Sequence, residues 1–244
     1  MIVKSKAIAL HSTRFGEKSL VAYLYTQEFG RVTLMVNAAF GRGKESKKAI
    51  FFHPLNLIDT VFYKANSETG MGRLREVSSA YDISSIRFQN VKRAIAVFLG
   101  EVIYRTVREE ERNHSLFAFL ENSILALEAM DEGVQNFHIL FLAQLSKYLG
   151  FFPGGTYSAD TPYFDLKGGV FISHAPNHPV FLGQEQSSLL YKALHTNYMN
   201  ASDLQLNGKQ RNLFLGNMLN YYSFHIGSFS EILSLPVLKQ VFED

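Results

Sequence analysis

The sequence predicts an α+β protein of several domains: an N-terminal five-stranded barrel, then an all-helical bundle that carries a small insert of loops and a hairpin. Residues 2–79 show the two-residue alternation and the frequent turn residues of short strands. After Asp82 the apolar residues recur at helical spacing, and glycine and proline later crowd into the insert. The predicted domains are residues 1–80, 81–152, 153–183 and 184–244.

The five predicted strands lie where β-branched and aromatic residues alternate with polar ones between turns. Their predicted ranges are 2–11, 19–26, 31–38, 55–63 and 72–79. In the third strand the alternation directs Val32, Leu34 and Val36 toward a core, while Arg31 faces outward. Five short strands in succession are typical of a small barrel.

Helical stripes follow the barrel. The first contains Val91, Ile95, Phe98, Val102 and Thr106, and the second contains Leu116, Leu120, Ile124 and Leu127. Residues 134–149 are apolar on most faces, so we expect them to form the central helix of the bundle. Further helices are predicted at 184–195 and 208–226, and a last short one begins at Ser234 and Pro236. Within the insert, 163–166 and 170–172 form a plausible hairpin.

The motifs of several enzyme classes are absent. The chain has no cysteine, which excludes disulfides, thiol nucleophiles and cysteine-based zinc sites. Gly43-Lys44 is followed by Glu45, so no phosphate-binding Walker loop is present. Glu109, Glu110 and Glu111 are expected to form a solvated surface. We expect no catalytic residues.

One pair of histidines leaves an alternative open. His174 and His178 lie near Asp160 and Asp165, as a metal-dependent hydrolase would require, but Pro176 between the histidines excludes a helical alignment. We expect no bound metal and no cofactor. No segment has the roughly 20 apolar residues of a membrane span, and the first residues lack the apolar core of a signal peptide, so we expect a cytoplasmic protein.

The uneven distribution of charge along the chain indicates a polyanionic partner. Residues 1–80 hold 12 Lys/Arg and 6 Asp/Glu, whereas residues 81–244 hold 12 and 16. Residues 40–48 form a predicted mobile loop with four cations and two glycines. Phosphates require cations and bases require flat rings, so the predicted nucleic-acid contacts are Lys4, Lys6, Arg14, Phe15, Arg31, Phe40, Arg42, Lys44, Lys47 and Lys48. Phe15 and Phe40 could equally be core residues, and RNA is the alternative ligand.

A set of short motifs, in order along nearly the whole chain, supports a family resemblance. They are Gly16-Glu17, Glu28 and Gly30, the basic loop 41–44 with Ser46, His53-Pro54-Leu55, Leu99 with Glu101, the run 149–153, Tyr222 with His225, and Ser234-Leu235 before Val237-Leu238. In this order and spacing the chain resembles the bacterial recombination mediator family RecO.

The resemblance implies an N-terminal OB-fold barrel and a role in DNA repair and recombination, near the nucleoid. Members of that family bind single- and double-stranded DNA, anneal complementary strands, associate with RecR, and help RecA to replace the single-strand-binding protein SSB. Many carry four zinc-binding cysteines in the insert, which this chain lacks. SSB has an acidic tail that ends in phenylalanine, and basic candidates for the rim of its pocket are Arg105, Arg108, Lys147 and Arg211.

Overall fold

The structure is a computed structural model, which describes residues 1–40, 44–65, 70–227 and 229–242, without the side chains of 44–47. The chain divides into two compact units, residues 1–128 and 129–244. The predicted domain boundaries after residues 80, 152 and 183 stay predictions. Among the described residues, no helix combines the length and the hydropathy needed to cross a bilayer.

The first unit begins with a closed five-stranded barrel, which confirms the predicted fold. Its strands are β1 (Ile2–Phe15), β2 (Ser19–Thr26), β3 (Gly30–Val36), β4 (Leu57–Tyr63) and β5 (Gly72–Ser79), in the order β1-β2-β3-β5-β4. β1 pairs with β4 through its first half and with β2 through its second half. Ala7 and Ile8 pair with both strands, and a register shift between Ala9 and His11 follows. β1 extends beyond its predicted end because β2 supplies backbone partners that the sequence pattern does not reveal.

Inward residues fill the barrel, and Leu34 and Val36 are buried while Val32 packs against the same core, as predicted. After β3, residues Lys44–Phe52 form a 3₁₀ helix, so the prediction of a loop through residue 48 is wrong there. Phe52 at its end is 1% exposed and belongs to the barrel core. This anchor gives the basic segment a defined backbone from residue 44 onward.

Three helices complete the first unit: α1 (Ser84–Phe88), α2 (Asn90–Thr106) and α3 (His114–Ala129). The stripes predicted on α2 and α3 lie on their buried faces. α1 was not predicted, since five residues carry no periodic pattern. Its N-terminus is held by the Glu128 carboxylate, which accepts hydrogen bonds from the Ser85 and Ile86 amides at 2.7 and 2.8 Å.

The second unit is helical around a small sheet. Its elements are α4 (Phe137–Tyr148), β6 (Tyr163–Asp165), β7 (Val170–Ile172), β8 (Phe181–Leu182), α5 (Gln184–His195), α6 (Gly208–His225) and α7 (Leu235–Val241). α4 is buried along nearly its whole length and packs against α5 and α6, as a central helix should. The predicted hairpin is β6–β7, and β8 adds an unpredicted third strand to β6.

Aromatic packing attaches the insert to α6. Phe164 and Phe171 of the hairpin are buried, and the Phe164 ring lies 5.5 Å from that of Tyr221 on α6. The His225 ring stacks on Phe151 at 5.4 Å, and its Nε2 lies 3.0 Å from the Leu166 carbonyl oxygen. Apolar and aromatic side chains therefore hold the insert.

Candidate nucleic-acid interface

Helix α2 covers the barrel face formed by β1, β2 and β3. Tyr104 of α2 packs its ring 5.1 Å from His11 and 5.0 Å from Tyr23. The Arg31 guanidinium lies 4.3 Å from the centre of the Tyr104 ring and donates hydrogen bonds to the carbonyls of Tyr104 and Val107 at 3.0 and 3.3 Å. The face of strands 2 and 3 is where OB-folds commonly bind their ligands. Here the chain's own helix occupies it.

The segment between α2 and α3 closes the adjoining edge of β3. The Arg31 amide donates to the Glu109 carbonyl at 2.9 Å. Gly30 has a φ of +61°, and a Cβ at this position would lie 2.3 Å from the Glu111 carbonyl oxygen. The Glu109, Glu110 and Glu111 side chains are exposed, as predicted for a solvated surface. Backbone contacts of Glu109 and Glu111 therefore join this segment to the barrel.

Helix α3 covers the next part of the barrel. Phe117 stacks on the buried Tyr25 ring at 6.3 Å. Glu121 accepts a hydrogen bond from Lys6 Nζ at 2.7 Å, and this bond raises the pKa of the Lys6 ammonium despite its partial desolvation. Lys6 and Arg31 were both predicted to contact nucleic acid. The structure pairs both with groups of the same unit, so neither offers a free cation.

The end of the barrel where β1 turns into β2 is open. Arg14 and Phe15 end β1, and Phe15 is 57% exposed. The tight turn at Gly16, with a φ of +64°, places Lys18 beside them. The Lys18 carbonyl accepts hydrogen bonds from the Ala39 and Phe40 amides, which joins this turn to the chain leaving β3. Two loops that are separate in sequence therefore meet at one end of the barrel.

We call this surface the loop-end patch; it consists of Arg14, Phe15, Lys18, Phe40 and Lys48. The Arg14 guanidinium lies 5.2 Å from the centre of the Phe40 ring, which is half-buried and packs against the barrel core. Arg14 also donates to the carbonyls of Gly16 and Glu17. Of the two aromatic candidates, Phe15 thus has the free ring, and Phe40 orients a cation.

Lys4 lies apart from this patch: it is exposed at the opposite end of β1, facing Val61 of β4. Lys48, the member of the patch in the 3₁₀ helix, is half-buried, and the amide of the next residue donates to the Ala39 carbonyl at 3.3 Å. Arg42 lies outside the described residues, as do the side chains of Lys44 and Lys47. Lys18 was not predicted, although a lysine in the turn after Arg14-Phe15 could have been found by asking which cations a hairpin turn brings together.

A groove between β3 and β5 was also missed by sequence reasoning. These strands pair only at Leu34–Gly72 and Met35–Arg73, so the barrel wall opens beside Thr33. The resulting cavity has a volume of about 530 Å³, and Lys64 lies on its wall with Nζ 5.0 Å from the centre of the Phe29 ring. The groove arises because two strands that are far apart in sequence pair at only two positions, and no local sequence pattern indicates it.

The four predicted rim cations of a tail pocket are divided between the two units. Arg105 pairs with Glu101 at 2.6 Å, and Arg108 is exposed after α2. Lys147 is exposed on α4, whereas Arg211 is buried and donates to Asn136 and to the Leu206 carbonyl. The guanidinium of Arg211 also lies 5.4 Å from the centre of the Phe242 ring. The pocket itself stays a prediction.

The insert histidines do not come together around a common point. His178 Nε2 lies 3.6 Å from Asp165 Oδ1, whereas His174 Nδ1 lies 2.8 Å from the Ser173 hydroxyl. Within the part of the chain that the structure describes, no group of three or more His, Cys, Asp or Glu side chains is arranged to hold a metal ion. The geometry offers no support for the hydrolase alternative.

Comparisons with known proteins cover almost the whole chain. The family model for the N-terminal part of recombination protein O matches residues 1–81, and the model for its C-terminal part matches residues 87–230. The DNA repair protein RecO of Azobacteroides pseudotrichonymphae is 31% identical over 243 residues, which span 100% of both chains. The proteins of the same name from Phocaeicola vulgatus and Christiangramia forsetii are 33% and 34% identical, covering 99% of this chain and 100% of theirs.

Proposed function

Because this chain belongs to the RecO family of DNA repair proteins, we propose that it binds single-stranded DNA at the loop-end patch and anneals complementary strands. In the same proposal it assists the loading of RecA onto SSB-coated single strands, together with RecR. The observation that carries the DNA-binding assignment is the open end of the barrel, where Phe15 is 57% exposed between the exposed cations Arg14 and Lys18.

This arrangement suits single-stranded DNA for two physical reasons. Cations near the phosphate path release counterions from the strand and reduce repulsion between two strands that approach each other. A free aromatic ring offers a stacking surface worth about 1 to 3 kcal/mol per base, irrespective of base identity. The patch therefore supports binding without reading sequence, as annealing of arbitrary complementary strands requires.

The partner proteins and the alternative ligands belong to the same proposal. We assign RecR and the acidic tail of SSB as partners, with Lys147 as the exposed member of the predicted rim set in the second unit. Duplex DNA is proposed as a second ligand, because phosphate contacts do not require unpaired bases. The names of the matched family models describe recombination, and those of the relatives describe DNA repair. We propose a mediator without catalytic residues or cofactor, located in the cytoplasm at the nucleoid.

A strand-annealing assay with fluorescent complementary strands, bare and SSB-coated, tests the proposal. The test variant is Arg14→Glu with Lys18→Glu and Lys48→Glu, and a second version adds Arg42→Glu, Lys44→Glu and Lys47→Glu. We expect slower annealing and weaker binding, with the slope of log affinity against log salt reduced by about 0.7 for each phosphate that the variant no longer neutralises. Unchanged affinity and slope in both versions would refute the assignment.

Two controls sharpen this test. Lys167→Glu makes the same charge change at an exposed turn of the second unit and is expected to leave binding unchanged. Competition between DNA and RNA oligonucleotides of equal length distinguishes the DNA proposal from the RNA alternative. Stronger competition by RNA would favour that alternative while leaving the loop-end patch as the binding surface.

A further inference from the structure

The barrel has a second uncovered surface, on the outer face of β1, β4 and β5. α2 and α3 cover the β1–β2–β3 side, and Glu121 of α3 reaches only as far as Lys6 along β1. Beyond Lys6, toward the start of β1, the outward side chains are exposed: Lys4, Ile2, Tyr63 at 44% and Arg73. Among the described residues, this part of the sheet therefore carries a row of exposed outward side chains.

Strand register brings an aromatic ring and two cations together there. Tyr63 is the Cα partner of Ile2 on β1 and of Arg73 on β5, so these three side chains form one row across the sheet. Lys4 faces Val61, one step along the same face, and is therefore a diagonal neighbour of Tyr63 at about 7–8 Å. We call Lys4, Tyr63 and Arg73 the outer-sheet patch.

Within the described part of the chain, neither Lys4 nor Arg73 forms an ion pair with a carboxylate, in contrast to Lys6 with Glu121. Glu76, the Cα partner of Val61, lies on the same row as Lys4 and pairs with Arg75 at 3.1 Å. Tyr63 offers a flat ring beside Lys4 and Arg73. Like the loop-end patch, this patch combines an exposed ring with exposed cations.

The two patches lie at opposite ends of β1. Eleven residues separate Lys4 from Phe15, which corresponds to about 36 Å measured along the strand. A ligand of a few nucleotides bound at one patch therefore leaves the other patch free. A protein that holds two strands at once brings them together for annealing, and two separate patches of similar chemistry can each hold one.

We infer that the outer-sheet patch is a second binding site for single-stranded nucleic acid, which holds one strand while the loop-end patch holds its complement. This inference rests on the proposed function. The rings of Tyr63 and Phe15 stack on bases of different strands, and Lys4 and Arg73 contact the phosphates of the second strand. Annealing then takes place between two strands on one barrel.

The number of short oligonucleotides bound per chain tests the inference. Native mass spectrometry with an oligothymidylate of about six nucleotides, near the short end of OB-fold site sizes, is expected to show two bound per chain. The variant Lys4→Glu, Tyr63→Ala, Arg73→Glu is expected to bind one and to lose annealing, while retaining its affinity for that one. One bound oligonucleotide on the unmodified chain, or two on this variant, would overturn the second site.

Matched variants distinguish the loss of a contact with the oligonucleotide from misfolding of the barrel. Arg75→Gln, at a neighbouring but paired cation, is expected to leave two oligonucleotides bound, whereas Arg73→Gln is expected to weaken the second binding event several-fold. Tyr63→Trp preserves a stacking ring and is expected to restore what Tyr63→Ala loses. If Arg75→Gln weakens binding as much as Arg73→Gln, or if Tyr63→Trp fails to restore it, the patch is not the contact surface. The proposed function is tested separately with the variant Arg14→Glu, Lys18→Glu, Lys48→Glu. If this variant still binds two oligonucleotides, the loop-end patch is refuted and the outer-sheet patch is not.

Discussion

The covered and the uncovered parts of the barrel are built from the same types of residue but use them differently. On the covered face, Arg31 and Lys6 lie against Tyr104 and Glu121 of the helices. At the open end, Arg14 also lies over a ring and donates to two carbonyls, but both Arg14 and Phe15 stay exposed. The comparison teaches that a cation or a ring is available to a ligand only where the neighbouring elements leave it exposed.

The largest expected effect is on the free energy of unfolding, when alanine replaces either of two glycines that have similar backbone conformations. Gly30 and Gly16 have φ values of +61° and +64°, but a Cβ would meet the Glu111 carbonyl oxygen at 2.3 Å in the first case and no atom within 4 Å in the second. We expect Gly30→Ala to lower the free energy of unfolding by about 3 kcal/mol or more, and Gly16→Ala by about 1 kcal/mol. Urea denaturation measures both, and equal losses would contradict the close approach of residues 109–111 to β3.

Arg31→Ala should produce the next largest effect, on stability. The change removes the cation–π contact with Tyr104 and two hydrogen bonds to carbonyls, so we expect a loss of about 2 kcal/mol in the free energy of unfolding. Arg14→Ala, which removes hydrogen bonds at an exposed turn, is the matched control and should cost within about 0.5 kcal/mol. A reversed order of the two losses would mean that the covered face is open in solution.

Phe15→Ala should weaken single-strand binding without affecting stability. Loss of one stacking ring is expected to cost about 1 kcal/mol of binding free energy, or about fivefold in affinity. Phe88 of α1 is more exposed still, at 75%, and lies outside both patches, so Phe88→Ala serves as the control. Fluorescence anisotropy with a labelled single strand measures both variants. If they weaken binding equally, exposure alone, and not the patch, would explain the effect.

The smallest expected effect concerns the Lys6–Glu121 pair. A double-mutant cycle with Lys6→Gln and Glu121→Gln is expected to give a coupling of about 0.5 to 1 kcal/mol at neutral pH, because both groups are partly exposed. The pKa of Lys6 is raised in the folded protein, so this stabilisation is present below the ordinary lysine pKa and is lost as the pH rises through the raised value. DNA affinity should not change in Lys6→Gln; a clear loss would mean that Lys6 contacts phosphate after all.

Much of the fold could be predicted because its signals are local. The alternation in residues 31–36 set the inward face of β3, and helical spacing set the buried faces of α2 and α3. Two short elements were not predicted. The N-terminus of α1 is bound by the Glu128 carboxylate, more than forty residues away, and β8 consists of two residues paired with β6. Such elements take their stability from contacts across the fold, which a sequence window does not contain.

For the candidate site, the sequence by itself determined the inventory: a basic N-terminal part, its cations and rings, and a chain without cysteine. Only the tertiary structure decided which of these groups are free. Arg31 and Lys6 bind groups of α2 and α3 and are therefore less accessible to a ligand. The hydrogen bonds from the Ala39 and Phe40 amides to the Lys18 carbonyl join two loops into one patch. The reason is physical: composition is a property of each residue, whereas availability depends on the neighbours that desolvate or pair it, and long-range packing brings those neighbours.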